Sequence, residues 1–226
     1  MINIVNKSLI YDENVDQVMR LNKLRKIRNS KQEPSENYLK FGIDYFDNPN
    51  VLQGFGGYKY DGRFASKVRL FVDQFNPTSI LEFGCAKGFL LYEFYKLGVK
   101  ILGVDKSEYA TKNAKREIVD CIYRSIRELP YGKLKRVDTV IFKDVLPHME
   151  IEELQNTLKC VKFSCPLLKV AYVEHPVSLN EKHAQSIREW DPTLKHCQPA
   201  DWWTSIFENY DLNYYVYYKN LFNSGY

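Results

Sequence analysis

The residues able to do chemistry gather around one turn of the chain. Ile80-Leu81-Glu82-Phe83 is a short apolar run that passes straight into Gly84-Cys85-Ala86-Lys87-Gly88, then into a helix-forming stretch from Phe89 to Leu97. Glycines let a backbone bend sharply and approach a ligand with no Cβ in the way. The helix that follows offers free N–H groups and the positive end of its dipole. A second strand-like run, Lys100 to Val104, ends on Asp105, where an acid accepts the two hydroxyls of a ribose. Nicotinamide dinucleotide sites share these features, but two details argue against that ligand. Cys85-Ala86 stands where a G-x-G-x-x-G pyrophosphate loop needs its second glycine. Glu82, just ahead of the first glycine, would repel a pyrophosphate and attract a cation.

S-adenosylmethionine, an adenosyl group carrying both an amine and a sulfonium, fits that sign. The segment resembles motif I of class I S-adenosylmethionine-dependent methyltransferases, E/D-x-G-x-G-x-G, with Glu82, Gly84 and Gly88 in place and Ala86 at the middle glycine. The resemblance implies that Glu82, Gly84, Cys85, Ala86 and Gly88 cradle the donor, and that Asp105, with Lys106 beside it, holds the ribose. Ser125-Ile126-Arg127-Glu128-Leu129-Pro130 is similar to the family's stretch beside adenine. Ser125 replaces the acid often found there, which leaves the contact to its hydroxyl and to the Ile126 backbone. Val137 to His148 resembles the fourth-strand motif, implying Lys143 at the cofactor and Asp144 and His148 near the reacting atoms. The motifs span roughly residues 64–175, with a looser likeness to 222.

Methyl transfer to a hydroxyl needs the acceptor at near-attack distance and a group to take its proton. Neutral histidine suits that role near pH 7. Of His148, His175, His183 and His196, the first two follow strand-like runs on the edge where the methyl group would lie, so His148 and His175 are the candidate bases, with Asp144 as a candidate acid. Each histidine also has a plain structural reading as a hydrogen-bonding residue. His196 ends Trp190-Asp191-Pro192-Thr193-Leu194-Lys195-His196, which loosely resembles a D-P-T-H element of small-molecule methyltransferases but has Leu194 where the histidine belongs. Tyr58, Tyr60 and Arg63 lie in an aromatic loop similar to the lead-in loop of methyltransferases acting on sugars and other small metabolites. With His196 and Trp203 they form the candidate acceptor side. No second acid pair has metal-ligand spacing, and no N-P-P-Y-type element for nitrogen methylation follows Lys143.

The elements that must position these residues alternate. Short apolar strands separated by amphipathic helices from Phe64 onward predict an α/β, Rossmann-like fold with a mostly parallel sheet covered on both faces. Residues 1–63 read as a helical and aromatic-loop extension, and 64–226 as the donor-binding domain. A basic helix-like stretch, Asn14 to Asn29 and on to Lys31, is either a solvated face or a contact for a phosphorylated or nucleotide-linked substrate. Net charge of +4 gives little support for nucleic acid. Five scattered cysteines and no apolar run of bilayer length predict a reduced cytoplasmic protein without a membrane contact. The sequence and its resemblance therefore point to O-methylation of a small hydroxylated metabolite, with a sugar or sugar-nucleotide as the favoured class. A macromolecular (RNA or protein) acceptor and a non-catalytic donor-binding module remain the alternatives.

Overall fold

The computed structural model describes residues 1–11, 17–30 and 32–222. Asn14 and Lys31, at the ends of the basic stretch, lie outside the described residues. The chain begins with β1 (Ile2–Ile4), α1 (Gln17–Ser30), α2 (Glu36–Leu39) and α3 (Ile43–Phe46). Strands and helices then alternate through α4 (Ala65–Phe75), β2 (Ser79–Phe83), α5 (Phe89–Lys96), β3 (Lys100–Val104), α6 (Glu108–Lys112), β4 (Ile122–Tyr123), α7 (Tyr131–Leu134) and β5 (Thr139–Lys143). The remainder comprises α8 (Ile151–Ser164), β6 (Val170–Pro176), α9 (Glu181–Trp190), α10 (Ala200–Glu208) and β7 (Tyr214–Lys219).

The strands form one sheet in the order β1-β7-β6-β5-β2-β3-β4, and every pairing is parallel. This is the Rossmann-like architecture expected. From β2 the chain winds outward to β3 and β4, then returns to β5 on the other side of β2, so the winding reverses between β2 and β5. Ligands bind beyond the carboxyl ends of strands at such a reversal. Strand β1 comes from the segment read as an extension, and it closes the far edge by pairing Ile2 to Ile4 with Tyr214 to Val216.

Alternation along the central strands sends side chains into two cores. Leu81, Phe83, Val140, Phe142, Ala171 and Val173 face α8 and α10. Ile80, Ile141, Val170 and Tyr172 face α4 and α5. Glu82, Lys143 and Glu174 belong by the same two-residue period to the second face, at its carboxyl edge. Helix α6 stops at Lys112 and a 3-10 turn occupies Arg116–Cys121. Helix α9 is capped by Asn180, whose side chain accepts from His183 N at 2.9 Å. Helix α1 docks on α9 through buried Leu24 and Ile187, while Arg28 reaches Glu189 at 2.6 Å. That contact absorbs part of the basic stretch.

Candidate active site

A cleft of about 980 Å³ opens at the winding reversal. Its floor is the turn after β2. Gly84, Ala86 and Gly88 all have left-handed backbone, with φ of 68°, 50° and 75°. A Cβ on Gly84 would lie 2.6 Å from Val145 Cγ2, and one on Gly88 would lie 2.7 Å from Ile118 and Ile122. Glycine is therefore required at both ends of the turn, whereas Ala86 adopts a conformation that favours glycine. Asp105, at the end of β3, secures the loop: Oδ2 accepts from Ala86 N at 2.7 Å and Oδ1 from Ser107 N at 2.8 Å. Burial raises its pKa, opposed by those two backbone donors.

Glu82 is buried at the cleft floor, and its Oε2 has no hydrogen-bond partner. Burial pushes its pKa up to about 8, with Lys143 pulling it down and Asp105 pushing it up. An unpartnered buried carboxyl beside open space is costly. A cationic amine or sulfonium placed in the cleft would relieve that cost, so the donor set fits S-adenosylmethionine. Lys106, Ser125, Ile126 and Lys143 also line the cleft. The Ser125 hydroxyl oxygen accepts from Arg127 N at 3.2 Å, leaving its proton available to an acceptor on a ligand.

The opposite wall comes from the N-terminal segment. Phe41, Tyr45, Phe46, Phe55 and Tyr58 form a continuous aromatic cluster with ring centroids 5.0–6.2 Å apart. Three bonds tie this wall to the donor loop region. Lys87 Nζ lies 2.5 Å from Asp47 Oδ2 and donates to the Tyr58 carbonyl, while Ser107 Oγ donates to the Phe41 carbonyl. Sequence reasoning missed the Lys87–Asp47 pair because 40 residues separate its members.

Of the residues named from sequence, the cleft brings together Glu82, Gly84, Cys85, Ala86, Asp105, Lys106, Ser125, Ile126, Lys143, Asp144, His148, Tyr58 and Arg63. Gly88 lies behind the turn as the residue capping α5. Four others point elsewhere. His175 shares a face with Ala171 and Val173, so it packs under α10 with its ring 4.2 Å from Trp203. It is fully buried, its Nδ1 lies 3.1 Å from the Pro176 carbonyl oxygen, and burial lowers its pKa to about 4. Following a strand put its backbone at the right edge, but strand alternation turned the ring to the wrong face. Trp203 is fully buried in the same core, and His196 packs tilted against Trp202 and edge-on to Trp203. Tyr60 turns outward to donate to Glu93 and accept from Lys96.

Asp144 has both carboxyl oxygens occupied: Lys143 Nζ binds Oδ2 at 2.5 Å and Lys219 binds Oδ1. Its pKa is held well below the usual carboxylate range; the two lysines outweigh its burial. Buried Glu174 lies 3.8 and 3.7 Å from the same two lysines. This makes Asp144 a fixed anion. His148 is half-buried at the cleft, edge-on to Phe41 at 5.7 Å. Its Nδ1 lies 2.9 Å from Thr193 Oγ1. Cys85 is a buried thiol whose pKa burial raises well above the ordinary value. Among the described residues no group of three His, Cys, Asp or Glu side chains is placed to hold a metal ion, and no helix is long and apolar enough to cross a membrane.

Residues 80–163 match the family model described as a methyltransferase domain. No curated protein matches the chain. Among solved structures, a SAM-dependent methyltransferase from Archaeoglobus fulgidus is 19% identical, with 77% of this chain and 73% of that one covered at a TM-score of 0.49. A candidate O-methyltransferase from Nostoc punctiforme PCC 73102 is 15% identical, covering 85% of this chain and 62% of that one at a TM-score of 0.52. This chain thus spans less than two thirds of the Nostoc protein. At such identities the structural likeness concerns the fold. Residues 80–163 thus match a methyltransferase domain, and with the parallel sheet and the unpartnered carboxyl in the cleft they support an S-adenosylmethionine-dependent methyltransferase.

Proposed function

We propose that this domain methylates a hydroxyl oxygen of a small acceptor, a sugar or sugar-nucleotide being the class that fits best, with His148 as general base. The observation carrying this reading is the position of His148. It lies in the cleft between the donor loop and the aromatic wall, and none of the described residues bonds its Nε2. S-adenosylmethionine, when bound, supplies an electrophilic methyl group and leaves as a neutral thioether. The protein's part is to hold the acceptor and take its proton. Aromatic rings such as Phe41, Tyr45 and Tyr58 offer flat apolar surface for a sugar or base face. Arg20, from α1, also lines the cleft with no partner among the described residues, and Arg63 lies near Tyr58 with its guanidinium on Asp61. Guanidinium groups suit a phosphate on the acceptor. Asp144, neutralised by Lys143 and Lys219, serves as a fixed charge at the acceptor's end of the cleft.

Transfer of labelled methyl groups from the donor to a panel of sugars, sugar phosphates and nucleotide-sugars tests the reading, with total RNA and protein as parallel acceptors. Labelled small-molecule product that His148→Gln lowers by about 100-fold is the expected result. Labelling confined to RNA or protein, or full activity in His148→Gln, would overturn it.

A further inference from the structure

One feature of the site belongs to no motif singled out for catalysis. Thr193, in the loop after α9, lies 45 residues from His148 in sequence but meets it in space, and Asp191 bonds Thr193 in turn. Thr193 Oγ1 donates to Asp191 Oδ1 at 2.6 Å and lies 2.9 Å from His148 Nδ1. Asp191 Oδ1 also accepts from Thr193 N at 3.0 Å and from Tyr38 OH at 3.4 Å, while Oδ2 accepts from Tyr45 OH at 3.3 Å. Asp191 is thus an acceptor with several donors converging on it. Burial, followed by the Asp191 charge, raises the pKa of both tyrosines, so their protons stay in place as donors.

Counting protons fixes the direction of the chain. A threonine hydroxyl has one proton. Spent on Asp191, it leaves only lone pairs facing His148, so Nδ1 must carry the hydrogen and donate. The neutral imidazole then has its lone pair on Nε2.

We propose that Asp191 and Thr193 are positioning residues that lock His148 in the Nδ1–H tautomer, presenting Nε2 as the base. The inference rests on the reading of His148 as general base. In the step it serves, the acceptor O–H proton passes to Nε2 while the oxygen's electron pair forms the new bond to the methyl carbon. The C–S bond breaks toward sulfur. The resulting imidazolium keeps its Nδ1–H on Thr193, whose oxygen is made more negative by the hydrogen bond to Asp191. Asp105 also interacts electrostatically with His148, from the donor side of the cleft. Tyr38 sits on α2 and Tyr45 on α3, which also carries Phe46 of the aromatic wall. The wall and the base are thereby joined through a single carboxylate.

The test reads the tautomer directly, without an acceptor. The full chain labelled with ¹⁵N-histidine is observed by long-range ¹H–¹⁵N correlation at mildly alkaline pH, with His148 assigned by subtracting the His148→Gln spectrum. The wild type and Thr193→Ser are expected to show protonated Nδ1 and bare Nε2. Thr193→Val, close in shape but without the hydroxyl, is expected to shift the population toward Nε2–H. Asp191→Asn provides a second variant should Thr193→Val fail to fold, and should move the same signals. A wild-type Nε2–H tautomer, or signals unmoved by either variant, overturns the relay. With an accepted substrate and saturating donor, kcat should fall about ten-fold or more in Thr193→Val and recover in Thr193→Ser. Wild-type kcat in Thr193→Val with His148→Gln inactive would overturn the relay alone. Wild-type kcat in His148→Gln would instead remove the function on which it rests.

Discussion

Lys87 Nζ and Asp47 Oδ2 lie 2.5 Å apart and largely out of water, joining the donor loop to the aromatic wall of the cleft. Tyr109 OH donates to the same carboxyl oxygen at 2.6 Å, and the pair holds Asp47 below the ordinary carboxylate pKa despite its partial burial. Removing one partner strands the other. Asp47→Ala should therefore cost about 3 kcal/mol of folding stability in denaturant titrations and weaken donor binding, since the loop loses its tether. The double variant Asp47→Leu with Lys87→Met should recover most of the stability but not the tether. Equal donor affinity in wild type and double variant would show that the pair is structural only.

The loop makes a second prediction, on Ala86. Its φ of 50° costs a residue with a Cβ roughly 1 kcal/mol. Ala86→Gly relieves that strain but adds freedom to the unfolded chain, so Tm should change by no more than a few degrees. Gly84→Ala meets Val145 at 2.6 Å in a left-handed position and should lower both Tm and donor affinity. A Gly84→Ala protein that binds donor normally would mean that the turn is not the cradle.

The strand-loop-helix unit that carries the donor was legible because its signals are local. The apolar runs from Ile80 and from Lys100 are strands β2 and β3, and the helix expected after the turn is α5. Strand β1 escaped notice because three residues carry no period, and its partner β7 lies more than 200 residues away. Helix α9 was hidden by a polar surface that leaves only a narrow buried stripe at His183, Ala184, Ser186 and Ile187. The acceptor side was the least legible for the same reason as the Lys87–Asp47 pair. Asp191-Pro192-Thr193 stood out in the sequence, but the histidine it serves came from the turn after β5, and His196 nearby packs on Trp202 instead.

Glu82 predicts a pH dependence of donor binding. Its carboxyl titrates near pH 8 in the folded, unliganded protein because it is buried without a partner for Oε2. A cationic donor binds the ionised form, so binding should release a proton below that pH. Affinity should climb by up to about ten-fold per pH unit and level off above pH 8. Calorimetry in buffers of different ionisation enthalpy measures the released proton directly. The unliganded fold behaves in the opposite sense. The folded pKa is raised, so the carboxyl's contribution to stability is full below about pH 4.5 and is lost as pH rises through about 8, by at most about 5 kcal/mol. Glu82→Gln should flatten both curves, stabilising the unliganded protein at pH 9 while weakening the donor. A binding curve independent of pH would remove Glu82 from the cation's site.

His175 and His148 can be told apart by substitution. Burial lowers the His175 pKa from 6.5 to about 4, with the Pro176 carbonyl and Asp144 pulling it up and Lys219 pushing it down. The folded pKa is depressed, so its contribution to stability is full above about pH 6.5 and disappears as pH falls through about 4, a loss of about 3 kcal/mol. His175→Phe keeps the ring against Trp203 and removes the unpartnered Nε2. It should move the midpoint of acid unfolding to lower pH, followed by near-ultraviolet circular dichroism. The same variant should keep methyl transfer, because its ring never faces the cleft, whereas His148→Gln should lower it by about 100-fold. A folded His175→Phe protein unable to transfer methyl groups would reverse the assignment of the base.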